Sequence, residues 1–212
     1  MKRLWIALVG SVLFILPAAA AAQRTFPVEL QIMPLKQNVR RHESTPLSSP
    51  TSANGTLTGV EASIMGASSG MGVFGRYLSG NLSGPKQRMV AEGGVMVGDK
   101  TFKIEVGYSE RLFLPADSTL KFLRGGFNAT TFLGTSGVAV RLRAGYYAAL
   151  ARFKSDKSAP DGWQGETSIA YTWDRVPVFA QIGYRIEALR GARVQEETSA
   201  LTLGAGIWLW AR

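Results

Sequence analysis

The chain has 212 residues, of which 46% are hydrophobic, 18% charged and none cysteine, with a formal net charge of +9. The absence of thiols excludes a disulfide framework, a thiolate metal site and a lipid-modified N-terminus. A basic balance of this size points first to nucleic acid, but the export signal described next makes anionic lipid headgroups the natural counter-charge.

Lys2 and Arg3 precede an apolar run from Leu4 to Leu16, and Pro17 opens a small-residue stretch ending at Ala20-Ala21-Ala22. This is the pattern of a secretory signal peptide over residues 1–22, cleaved after Ala22. The run is too short for a spanning helix, and no later segment has 18 consecutive apolar residues. Residues 23–212 therefore form the mature domain. Its 24 glycines in the whole chain suit a curved, closing sheet.

After the signal the hydrophobic period is two. In Val138–Leu150 the even positions, among them Val140, Leu142 and Tyr146, are apolar, while the odd positions include Arg141, Arg143 and Gly145. Strand geometry sends such sets to opposite faces. Val178, Ala180, Ile182, Tyr184 and Ile186 alternate in the same way with Phe179, Gln181, Gly183, Arg185 and Glu187. Phe102, Ile104, Val106 and Tyr108 alternate with Lys103, Glu105 and Gly107.

This pattern predicts ten strands, at 28–36, 54–66, 70–80, 88–97, 101–110, 120–132, 136–152, 163–174, 177–188 and 198–210. Pro34 cannot donate to a ladder and weakens the first of them. Neither face of 120–132 is uniformly apolar, which predicts a bulge that shifts its register. Short turns at 67–69, 98–100, 133–135 and 175–176 alternate with longer connections at 37–53, 111–119, 153–162 and 189–197, with 81–87 intermediate. Such alternation, with an even strand count, is expected of a closed antiparallel up-and-down transmembrane β-barrel. The expected count is ten strands, with eight as the alternative.

Parity places Glu29, Glu61, Arg76, Glu92, Lys103, Glu105, Arg141, Arg143, Glu166, Arg185 and Glu187 on the face opposite the apolar one. If the apolar face meets lipid, these residues fill the bore and pair across it. Trp163, Trp173, Tyr108, Tyr146 and Tyr184 sit near strand ends on the apolar face, where interfacial girdles belong. If the apolar face were the interior instead, the protein would be a soluble periplasmic, lipocalin-like binding barrel.

The last strand reads Thr202-Leu203-Gly204-Ala205-Gly206-Ile207-Trp208-Leu209-Trp210. It resembles the C-terminal insertion signal of outer-membrane barrels, with Thr202, Gly204, Ile207 and Leu209 in the signal positions. The family usually ends on an aromatic residue, whereas here Ala211 and Arg212 follow. With the signal peptide and the alternation, the mature chain resembles small outer-membrane β-barrel proteins of the OmpA-like and OmpX-like type. The resemblance implies location in the cell outer membrane of a Gram-negative bacterium and handling by the barrel-assembly machinery. It also implies contact with outer-membrane lipids, including lipopolysaccharide, and a monomeric state. It names no activity, because this fold hosts many.

The chemistry-bearing signals are few. The single histidine, His42, stands beside Glu43, Ser44 and Thr45, and barrel enzymes acting on lipid A use such residues near the outer rim. Neighbours in one loop do not converge as a catalytic set does, however. One histidine and no cysteine offer no metal centre. Gly70-Met71-Gly72 and Gly204-Ala205-Gly206 lack the strand–turn–helix setting of a nucleotide site. The expectation is a non-enzymatic protein with a structural or surface-interaction role and no catalytic, metal or cofactor site. A narrow, porin-like channel and a lipid A-modifying enzyme are the alternatives. Arg40, Arg41, Lys86, Arg111, Lys154, Lys157, Arg190 and Arg193 fall in the expected external loops, within reach of lipopolysaccharide phosphates.

Overall fold

The computed structural model describes residues 28–45, 48–66, 68–83, 86–114, 118–151, 159–173, 176–192 and 195–209. The expected signal peptide and its cleavage point lie outside them. Ten strands follow in chain order: β1 (Val28–Thr45), β2 (Ser48–Gly66), β3 (Met71–Leu82), β4 (Lys86–Gly98), β5 (Phe102–Leu114), β6 (Ser118–Phe132), β7 (Val138–Ala149), β8 (Asp161–Thr172), β9 (Val178–Arg190) and β10 (Gln195–Leu209). Each pairs antiparallel with its chain neighbours, and β1 pairs with β10 to close the barrel. Closure leaves no sheet edge unpaired along the wall, so backbone polar groups are satisfied where no water can reach them.

Pro34 sits at the closing seam. The β1–β10 ladder pairs Ile32 with Ile207 and Leu35 with Gly204, passing over Met33 and Pro34 without losing register. On its other side Pro34 stands opposite Val60 of β2. A missing N–H therefore interrupts the ladder locally and leaves the strand intact.

Two expectations about the connections are corrected. The alternation of loop lengths is not present, because residues expected in the longer loops continue the strands. β1 and β2 stay paired from Val28–Gly66 to Thr45–Ser48, and Arg111 and Leu112 lie within β5. Ladder pairing is a backbone property and persists where the apolar alternation stops. The β7–β8 connection, residues 150–160, is the longest that remains. The bulge expected in β6 is also not found. Its pairing runs in a single register from Phe113–Ser118 to Phe102–Ala129 on one side, and from Phe122–Ala149 to Phe132–Ala139 on the other.

Both ends of the described chain lie at the barrel end that carries the connections 67–70, 99–101, 133–137 and 173–177, here termed the turn side. Gly70 and Gly137 take φ of 62° and 71°, values that side chains with a Cβ rarely adopt. The Asp99 carboxylate accepts from the Thr101 hydroxyl (2.5 Å) and from the Thr101 and Phe102 amides (2.7 and 2.9 Å). These bonds, the Thr101 hydroxyl foremost, hold Asp99 below the usual carboxylate range.

Candidate functional site: an apolar belt around an ionic bore

Side chains alternate across most of the wall, although Glu187, Ala188 and Leu189 of β9 are all buried. Outward positions carry Val73, Val95, Ile104, Leu142, Ile169, Ile182 and Leu203, each about half exposed. Leu142, for example, is 49% exposed, whereas Arg111 is 0% and Arg124 1%. An apolar surface of this extent encircling a charged interior is the reverse of a soluble barrel. The periplasmic lipocalin-like alternative is thereby overturned. The chain is a transmembrane β-barrel.

Antiparallel barrels with polar interiors and an apolar outer band reside in outer membranes, and the protein is located there. Tyr108, Tyr146, Trp163, Trp173 and Tyr184 are all exposed on the outer face, but Tyr108 and Tyr184 stand in the middle of β5 and β9 rather than near their ends, because those strands run further than the apolar alternation does.

Cross-strand registration builds the bore. Glu61 of β2 is the ladder neighbour of Arg76 of β3, which stands opposite Glu92 of β4; across the barrel Arg143, Glu166 and Arg185 are successive neighbours on β7, β8 and β9. Arg76 donates through Nε to Glu61 (2.6 Å) and through Nη2 to Glu166 (3.0 Å), joining opposite walls. Arg143 forms a two-pronged contact with Glu61, both bonds 3.1 Å, and reaches Glu105 at 3.3 Å. Glu105 also accepts from Arg124 at 2.6 Å.

Nearer the opposite, loop-side end, Arg185 donates to Glu92 (3.2 Å) and Glu187 (3.1 Å), and Glu187 also accepts from Arg111. The Tyr147 hydroxyl donates to Glu92 (2.8 Å) and accepts from Arg185 (3.1 Å). Arg88 and Arg41 both pair with Glu196, at 2.9 and 3.0 Å. At the turn side, Lys103 pairs with Glu29 (2.7 Å), which also accepts from the Trp208 indole (3.2 Å). Arg141 instead donates to Gln181 (3.0 Å) and lies over the Trp208 and Phe179 rings, at 4.5 and 5.2 Å. A planar, weakly hydrated guanidinium suits such a site.

Small free spaces lie among the described side chains. One, bordered by Lys103, Arg141 and Arg143, holds about 30 Å³. Another, bordered by Gln37, Arg88 and Arg185, holds about 20 Å³. Each has room for on the order of one or two waters.

The structure thus brings Glu61, Glu92, Lys103, Glu105, Arg141, Arg143, Glu166, Arg185 and Glu187 together in one bore, with Glu29 and Arg76. Sequence parity missed Arg41, Arg88, Arg111, Arg124 and Glu196. Arg41 and Arg111, expected to be external, point inward. Arg88 shares the parity of Glu92 and already falls within the expected strand 88–97, whereas Arg111 shares that of Lys103 and Glu105 and lies just beyond the expected strand 101–110, in the part of β5 that continues to Leu114.

The insertion-signal residues divide between faces. Thr202 is buried and accepts from Gln37 at 3.1 Å. Gly204 lies against the Met33 side chain. Ile207 and Leu209 take the opposite parity, although Leu209 is itself buried. His42 lies on the outer face with Nδ1 3.0 Å from Ser52 Oγ; the Glu43, Ser44 and Thr45 side chains fall outside those described.

Among solved structures, the chain is similar to Neisserial surface protein A, at 14% identity over 83% of this chain and 96% of that one, TM-score 0.41. It is similar to the translocator domain of the autotransporter NalP from Neisseria meningitidis, at 12% identity over 97% of both chains, TM-score 0.44. It is also similar to Ail, the attachment invasion locus protein of Yersinia pestis, at 9% identity over 86% and 99%, TM-score 0.36. No protein-family model matches the sequence, and no curated protein matches it.

Proposed function

We propose that this is a non-enzymatic barrel of a Gram-negative outer membrane, serving a structural or surface-interaction role with a bore that does not conduct. The observation carrying this reading is the ionic network. Carboxylates and guanidiniums from opposite walls are tied to one another, and the spaces between them are the size of a few waters. Removing one partner from such a network leaves an uncompensated buried charge, so the set holds as a plug.

The turn side, with both chain ends, faces the periplasm in this reading, and the loop side faces outward. Lipopolysaccharide and the barrel-assembly machinery are the expected partners, the latter through Thr202, Gly204, Ile207 and Leu209, and the protein works as a monomer.

The test is conductance of the refolded, heat-modifiable protein in planar bilayers. The reading expects no steps above the bare membrane. Regular, salt-dependent steps from the wild-type chain would replace the plug with the narrow-channel alternative.

A further inference from the structure

On the outer face of the loop-side rim lies a groove of about 550 Å³. Two adjacent ladder rows cross it. One runs from Ile186 through Ser199 and Arg40 to Asn54, the other from Trp163 through Ala188, Glu197 and His42 to Ser52. Each row begins apolar on β8 and β9 and ends polar on β1 and β2. The Trp163 and Ile186 side chains, 45% and 40% exposed, continue the lipid-facing belt into the groove. Arg40 and His42 are exposed at its other end, and His42 is held by Ser52 at 3.0 Å. No ion pair among the described residues engages Arg40 or Glu197, although both line the groove.

The polar end exposes the Arg40 guanidinium and the His42 ring, with Glu197 beside them, and adjoins an apolar end that contains Trp163; the Arg40 side, next to that apolar end, complements an amphiphile that is anionic at its head. We propose that this groove seats the phosphate end of an outer-leaflet glycolipid of the lipid A class. Arg40 and His42 donate to the phosphate, Asn54 lies within the same polar end, and the acyl chains run past Ile186 and Trp163. Glu197 works against the phosphate and limits the affinity. The inference rests on the outward orientation of the loop side proposed above and names the residues of one lipid contact.

The mature protein is refolded into nanodiscs containing bis-phosphorylated lipid A, dephosphorylated lipid A or phosphatidylglycerol, and retained lipid is counted by native mass spectrometry. The wild type should retain the phosphorylated lipid A in preference to both others. Arg40→Gln should reduce that retention about tenfold, the effect of one charge-assisted hydrogen bond. Lys121→Gln, which removes an exposed cation of β6 outside the groove, should leave it unchanged, and Glu197→Gln should increase it. Equal retention of the dephosphorylated lipid or of phosphatidylglycerol would overturn the site, as would weakening by Glu197→Gln or equal losses from Arg40→Gln and Lys121→Gln. A protein lacking heat-modifiable gel mobility would overturn the membrane reading and the site together, whereas a heat-modifiable barrel that does not discriminate overturns the site alone.

Discussion

Glu29 accepts from the Lys103 ammonium at 2.7 Å and from the Trp208 indole at 3.2 Å, and Lys103 is its one ion-pair partner among the described residues. That single pairing makes it the cleanest place to measure what a bore charge contributes. Lys103→Met strands a buried carboxylate and is expected to cost roughly 3 kcal/mol or more, whereas Glu29→Gln in the same chain should restore most of it. Urea unfolding in lipid vesicles would check both variants. A harmless Lys103→Met would mean that water reaches Glu29 and that this end of the bore is wet. Lys103 and Glu29 were legible because each lies in a segment of period two. Arg124 was not, since its strand mixes Lys121 and Leu123 outside with Phe122 and Arg124 inside. Phe122 is apolar and inward because it packs edge-on against Tyr147, at a ring distance of 5.8 Å. The interior is apolar in places, and a rule that equates apolar with outward fails at those residues.

At the scale of elements, the number and order of strands follow from alternation, but their lengths do not. Val138–Leu150 announces β7 through its side chains, whereas the continuation of β1 through Arg40 and Arg41 depends on pairing with Ala53, Asn54 and Thr198 that no local signal reports. Glycine is the other cryptic element. Gly94 of β4 faces Gly107 of β5, and a Cβ on either would meet the opposing backbone. Gly107 is also the ladder neighbour of Arg124 on β6. Gly125, one position along on the outer face, has nothing within 4 Å of where a Cβ would stand. Gly107→Val should therefore cost roughly 2 kcal/mol or more, while Gly125→Val should remain within about 0.5 kcal/mol of wild type. Equal effects in the same vesicle unfolding assay would mean that the two faces are not packed differently.

The whole molecule is organised by one inversion: charge inside, hydrocarbon-like surface outside. That arrangement is stable only where lipid replaces water against the belt, so the fold and the location are a single physical statement. The chain contains no cysteine, so single cysteines can be introduced without background. The most direct test is to label consecutive positions from Ala139 to Tyr146 of β7 with a nitroxide, in protein refolded into vesicles, and to measure collision with oxygen and with a water-soluble nickel chelate. Labels at Val140, Leu142 and Ala144 should be relaxed strongly by oxygen and little by nickel, while those at Arg141, Arg143 and Gly145 should be shielded from oxygen. Strong nickel access at the even positions, or the opposite alternation, would place the apolar face away from lipid and contradict the account.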